Sequence, residues 1–249
     1  MSINKPFYRI ARPGVYIPDY VVDARYASDR LQLSRAYINL EKKLREIFEY
    51  IEPGDKNKDT FSFELYNLLL AACTEVELNC KEILKENGAS ANNMGDYVKL
   101  ERSSLLSKYE VSYNRWRKKD QKKRVVYEKY DLKPFASFCG DSPKEPEWYK
   151  AYNDVKHERE KNLELATLAN CMNAVAGVLV LLYSQFGSKC IVSNISYGQD
   201  NEGYDDIFAA DVIFEICPPK IDDWNQNDLY SFDWNIVKGY KKPFGKFRY

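Results

Sequence analysis

Residues 146–182 read PEWYKAYNDVKHEREKNLELATLANCMNAVAGVLVLL, Pro146 to Leu182, and their patterning decides the fold class. At about 100° per residue, Trp148, Ala151, Tyr152 and Val155 gather on one helix face, with Arg159 and the stem of Lys156 at its border. His157, the only histidine in the chain, projects almost opposite, beside Lys150, Asn153, Asp154 and Lys161. From Leu163 onward the pattern is apolar nearly all round, which predicts a helix buried on every side. Its most apolar run, Ala174–Tyr183, is ten residues long, about half of a membrane span. A core helix is therefore expected, and no membrane partner.

Upstream, Leu33, Tyr37, Leu40, Leu44 and Ile47 recur at helical steps after a cap at Ser28-Asp29, and Pro53-Gly54 ends that helix. A second helix is expected over about 60–87, with Leu65, Leu69, Cys73, Val76, Cys80 and Ile83 as its core stripe and Gly88 as its stop. Glu75 and Glu77 flank that stripe. A short connection between two long amphipathic helices predicts an antiparallel pair. A shorter helix is expected from about Gly95 to Ser107.

The expectation is a mainly α protein: an antiparallel helical bundle with a β-hairpin-like insertion and a small peripheral β region built from both terminal segments. The arm at 1–27 reads as extended, with a short strand near Val15–Ile17. The helical domain covers 28–186, and its insertion covers 109–130. Residues 187–249 read as extended runs at Cys190–Ile195, Ile207–Ile216 and Leu229–Ile236, forming a small sheet with the arm. Asp200, Glu202, Asp205 and Asp206 read as a solvated acidic loop. The last residues, with Lys238, Lys241, Lys242, Lys246 and Arg248 among aromatic rings, read as a second phosphate-contact surface or a flexible end.

The chain carries 37 basic and 37 acidic residues, so no global field draws it to nucleic acid. The balance hides one patch. Residues 115–124, RWRKKDQKKR, hold seven bases and one acid. Arg115, Arg117, Lys118, Lys119, Lys122, Lys123 and Arg124 suit phosphate neutralisation, and Trp116 suits stacking on unpaired bases, with Tyr113 and Tyr127 nearby. The competing reading is a solvated hairpin tip that its lysines keep from pairing edge to edge.

For His157, Asn153 and Asp154 lie four and three residues earlier, within reach along one helix side. Such a ring serves acid–base chemistry on a phosphodiester or binds an anion; the alternative is a surface histidine among charged neighbours. The six cysteines form no CxxC pair and read as reduced thiols of a cytoplasmic protein. No phosphate loop, nucleophile elbow or HExxH is present, so neither metal nor cofactor is expected.

The order of long helix, Glu-rich second helix (LYNLLLAACTEVELNCKEIL), strand-like insertion, Lys133-Pro134-Phe135 turn and WYKAYNDVKHER before an apolar helix resembles the HEPN superfamily over roughly residues 28–186. These are helical domains of bacterial defence, toxin–antitoxin and nucleotide-binding systems. The resemblance implies an RNA- or nucleotide-engaging protein, acting as a homodimer or beside a partner protein of the same system. Active members are metal-independent ribonucleases with an Arg-x4-6-His motif. By position His157 is the motif histidine, while the arginine slots hold Lys150, Ala151 and Tyr152. The implied site is His157, Lys150, Asn153 and Asp154, with Arg159, Lys156 and Glu75 in support. A non-catalytic dimerisation module and a nucleic-acid binder acting through hairpin and tail are the alternatives.

Overall fold

The apolar stretch becomes the axis of the molecule. The computed structural model of the chain describes residues 3–15, 18–191 and 213–249. Helix α7 (Leu168–Phe186) buries fifteen of its nineteen residues and contacts α1 (Arg30–Phe48), α2 (Phe63–Glu86) and α5 (Glu147–His157). An 18-residue window of the Leu168–Lys189 segment passes the length and hydropathy test for a membrane span, yet 78% of it is buried inside the protein. It is a core helix.

The ends of α2 and α7 are fixed together. Ser62 caps α2 through the Leu65 amide at 3.1 Å, and Thr167 caps α7 through the Asn170 amide at 3.2 Å. An antiparallel bridge joins Phe61 to Thr167, and the Leu168 amide donates to the Thr60 carbonyl at 2.9 Å. The two N-termini therefore lie side by side and the helices run the same way, with α1 and α5 returning in the opposite sense. The mainly helical bundle is the expected one.

Several local expectations are corrected. The Gly95–Ser107 helix is divided into α3 (Met94–Tyr97), a 3-10 turn over 98–100 and α4 (Glu101–Ser104), and Leu105, at a left-handed φ of 48°, ends it short of Ser107. The helix bearing His157 stops at that residue. Glu158 sits at φ −134° and ψ 61°, and the Asn162 side chain donates to the Asp154 carbonyl at 3.1 Å, closing the end of α5 before α6 (Arg159–Asn162). Asp29 makes no side-chain cap on α1; its carboxylate instead accepts from Arg9 at 2.6 Å. Buried Arg9 continues to Gln185 at 3.2 Å and Gln185 to Asn79 at 2.7 Å, a polar chain that ties the N-terminal arm to α7 and α2.

The insertion is a hairpin of β1 (Glu110–Lys119) and β2 (Val125–Leu132), with a bulge at Asn114-Arg115. The third strand of its sheet is β3 (Phe214–Cys217), which pairs with β1 in the order β2-β1-β3. Among the described residues, the N-terminal arm meets the C-terminal segment through single bridges, Ile3 to Tyr230 and Phe7 to Gly245, outside this three-stranded sheet. Residues 234–237 form a helical turn, α8 (Trp234–Val237), where an extended run was expected. The expected Val15–Ile17 strand, the acidic loop and the runs within 192–212 lie wholly or partly outside the described residues.

The basic tail is docked by its rings. Phe247 packs edge-on to Phe7 at 5.4 Å, its amide donates to Asn87 at 2.8 Å, and Tyr249 shares a 2.9 Å hydrogen bond with Ser103. This corrects the flexible-end reading. The lysines remain outside, while Phe244, Phe247 and Tyr249 are committed to packing and Tyr240 stays exposed.

Candidate nucleic-acid interface and the α5 face

Helix α5 is held by its apolar side. Trp148 is buried against Phe135 and donates its indole N–H to the Pro134 carbonyl at 2.8 Å. On the flank facing α2, the Glu77 carboxylate accepts from the Tyr149 hydroxyl at 2.9 Å, the Tyr152 hydroxyl at 3.1 Å and Lys81 at 3.1 Å. Lys156 closes the cluster, donating to the Tyr152 oxygen at 2.8 Å. Burial alone would raise the Glu77 carboxyl, but Tyr149, Lys81 and Tyr152 outweigh it and hold it below the ordinary glutamate value. Burial first, and then the bond to Glu77, push the Tyr149 hydroxyl well above its usual value.

Because its folded value is depressed, Glu77 stabilises the fold above the unfolded glutamate pKa and loses that contribution as pH falls through the folded value. Glu77→Gln is expected to lower the urea midpoint at neutral pH, and the gap from wild type is expected to close in acid. A gap independent of pH would show that the carboxylate charge is not what α5 uses.

The opposite side of α5 is open. Lys150 and His157 are exposed, seven residues apart and thus about 10 Å along the axis. Asn153 and Asp154 are half-buried between them. Among the described residues, the His157 imidazole makes no hydrogen bond or ion pair, and the Asp154 carboxylate does not pair with it. Of the expected supporting groups, Lys156 serves Tyr152 and Arg159 turns to α2, with its guanidinium 5.8 Å and 5.6 Å from the ring centres of Phe63 and Tyr66. Glu75 is half-buried on a different side of α2 from Glu77 and is not part of the cluster; burial raises its carboxyl. The site list drawn from the sequence thus missed Glu77, Lys81 and Tyr149. The spacing of Glu77 and Lys81 on one helix was visible, but their meeting with α5 is tertiary.

In the hairpin, alternation sorts the side chains onto two faces. Trp116, Lys118, Glu128 and Tyr130 share one face. Trp116 is 2% exposed, stacked on Tyr130 at 4.0 Å, and its indole N–H donates to Asp55 at 2.7 Å. The expectation that Trp116 stacks on bases is corrected: the segment after α1 covers it. Gly54 bridges Arg117, where an added Cβ would lie 2.3 Å from the Arg117 carbonyl oxygen, so only glycine permits this approach. Lys118 pairs with Glu128, and Arg124 with Asp120 at 2.7 Å.

The other face carries Arg117, Lys119, Val125 and Tyr127 with Lys129 beyond them, and Tyr127 is 57% exposed directly across from Arg117. Among the described residues, Arg115, Arg117, Lys119, Lys122 and Lys123 make no ion pair. Lys123 holds φ at 60° to close the turn. Within the described residues, no three His, Cys, Asp or Glu side chains are grouped as a metal ion would need. No family model, curated protein or solved structure matches the chain.

Proposed function

We infer that the protein engages single-stranded RNA through the outer face of its hairpin, as a cytoplasmic interaction module. The observation that carries this reading is the exposed Tyr127 ring set between unpaired cations, Arg117 and Lys119 on its own face and Lys122 and Lys123 at the tip. A free ring offers a stacking platform that every base accepts, and cations without an acidic partner are free to replace condensed counterions.

The test is fluorescence anisotropy with a short unstructured oligoribonucleotide over a range of salt. Tyr127→Ala is expected to weaken binding roughly 5- to 150-fold, the worth of about one stacked base, and to leave the salt slope unchanged. Converting Lys119, Lys122 and Lys123 together to glutamine is expected to make the slope shallower by about 2, at roughly 0.7 per phosphate on a single strand. Wild-type protein without affinity for the oligonucleotide at low salt would reject the reading.

A second reading, the metal-independent ribonuclease implied by the HEPN resemblance, is favoured by the open side of α5 that Lys150, Asn153, Asp154 and His157 share. Cleavage by the 2′-hydroxyl needs a base at that oxygen and an acid at the departing 5′-oxygen. One imidazole fills one role at a time, so the second group must come from Lys150 or from a second copy of the chain. Cleavage of RNA in EDTA that disappears in His157→Ala supports this reading, and no cleavage by wild type removes it.

A further inference from the structure

Two surfaces of opposite character lie close together on this chain. At the corner between α1 and α2 a groove of about 630 Å³ has Ile47, Tyr50 and Ile51 in its walls and Glu46, Glu49 and Glu64 among its polar lining. Lys43 reaches Glu64 at 2.8 Å and Glu46 at 3.5 Å, one cation against three carboxylates, so the rim keeps an acidic excess. Tyr50, the aromatic ring in the groove wall, is 90% exposed. Carboxylates around bare aromatic rings recognise a cation on an apolar stem. The chain displays this preference internally, where Arg159 lies over Phe63 and Tyr66.

The complementary surface is the hairpin tip, with Lys119, Lys122 and Lys123 unpaired among the described residues and Val125 and Tyr127 exposed beside them. The tip does not serve its own groove. The Pro53–Asp55 segment clasps β1 at Arg117 through bonds of 2.8 Å and 3.1 Å, and beyond that clasp the strand runs on only to Lys119 before the turn. Among the described residues, the ammonium groups of Lys119, Lys122 and Lys123 pair with no acid, those of their own groove included.

We propose that the acidic aromatic groove receives the hairpin tip of a second copy of this chain. Both patches occur on every copy and adjoin through residues 49–55, so a closed pair uses each patch twice, as two-fold symmetry requires. The contact is of opposite charges at an exposed rim, so it weakens as salt rises. It goes beyond the RNA reading and does not depend on it. The groove takes no part in that reading, and the following measurement contains no nucleic acid.

Sedimentation velocity over a range of protein concentrations is the experiment. Wild type is expected to show a monomer–dimer equilibrium that shifts to monomer at high salt. Lys122→Glu with Lys123→Glu, and separately Glu46→Lys with Glu49→Lys, are each expected to weaken association at least tenfold. An equimolar mixture of the two double variants is expected to associate again, because reversed tip then meets reversed groove; that recovery also shows both variants are folded. Wild type that stays monomeric at every concentration overturns the proposal, as does a dimer indifferent to both reversals or a mixture that fails to recover.

Discussion

Replacing Arg12 with alanine is expected to lower the unfolding free energy by about 2–6 kcal/mol, mainly the cost of two carbonyls left without donors. The side chain is fully buried, and its guanidinium donates to the Ser103 carbonyl at 3.0 Å and to the backbone and carboxylate oxygens of Asp228 at 3.1 Å and 3.3 Å. It also lies 5.7 Å, 5.2 Å and 5.1 Å from the ring centres of Phe7, Trp224 and Phe247. Three segments distant in sequence are thus gathered on one planar group. Alanine leaves two carbonyls without donors, each costing about 1–3 kcal/mol, and removes the partner of three rings. Lysine restores the charge but not the fork, so Arg12→Lys is expected to recover only part of the loss. Urea unfolding decides it; a midpoint for Arg12→Ala matching that of Arg25→Ala, whose parent pairs with Asp23 at the surface, would contradict the argument.

Leu181→Ala is expected to cost about 2–5 kcal/mol, the transfer term plus the cavity left behind. Leu181 is 0% exposed on a helix buried on nearly all sides, and its neighbours Val180 and Leu182 are likewise 0% exposed. The cost should lie at the upper end, because α7 is walled by α1, α2 and α5 and has little freedom to collapse into the space. His157→Ala removes no packing contact and is expected to leave the urea midpoint unchanged. A His157 variant as damaged as Leu181→Ala would show that the imidazole is covered in solution, which the open side of α5 does not allow.

The helices were legible where one physical signal decided them. Apolar residues all round fixed α7 as a core helix, and the division of α5 into a Trp148–Val155 side and a His157 side is the division observed. The stop after His157 carries no glycine or proline to announce it, because Asn162 closes that end from five residues downstream. Glu77 was visible only as a carboxylate beside a stripe, since its role needs two tyrosines from another helix. In the hairpin the alternation of Trp116 with Arg117 was readable, but not which face is covered. The decision comes from Gly54 and Asp55, some sixty residues earlier, and from a bulge that resets the parity of the strand. It moved the available ring from Trp116 to Tyr127. Pairing of β3 with β1 rather than with the N-terminal arm is likewise a contact between distant segments, invisible to local pattern.

The Arg12 cage also sets an order of events in synthesis. Ile3, Phe7 and Arg12 leave the ribosome early, yet their partners are Tyr230, Gly245, Asp228, Trp224 and Phe247. The helices can pair locally as they emerge, and Arg9 finds Gln185 on α7, whereas the cage around Arg12 stays open until Asp228, Trp224 and Phe247 are free. A nascent chain arrested before that point holds a buried-type arginine and a row of aromatic rings in the open. Such exposure is what holdase chaperones bind. Completion of the cage therefore follows the pairing of the helices, and it closes a loop of more than two hundred residues.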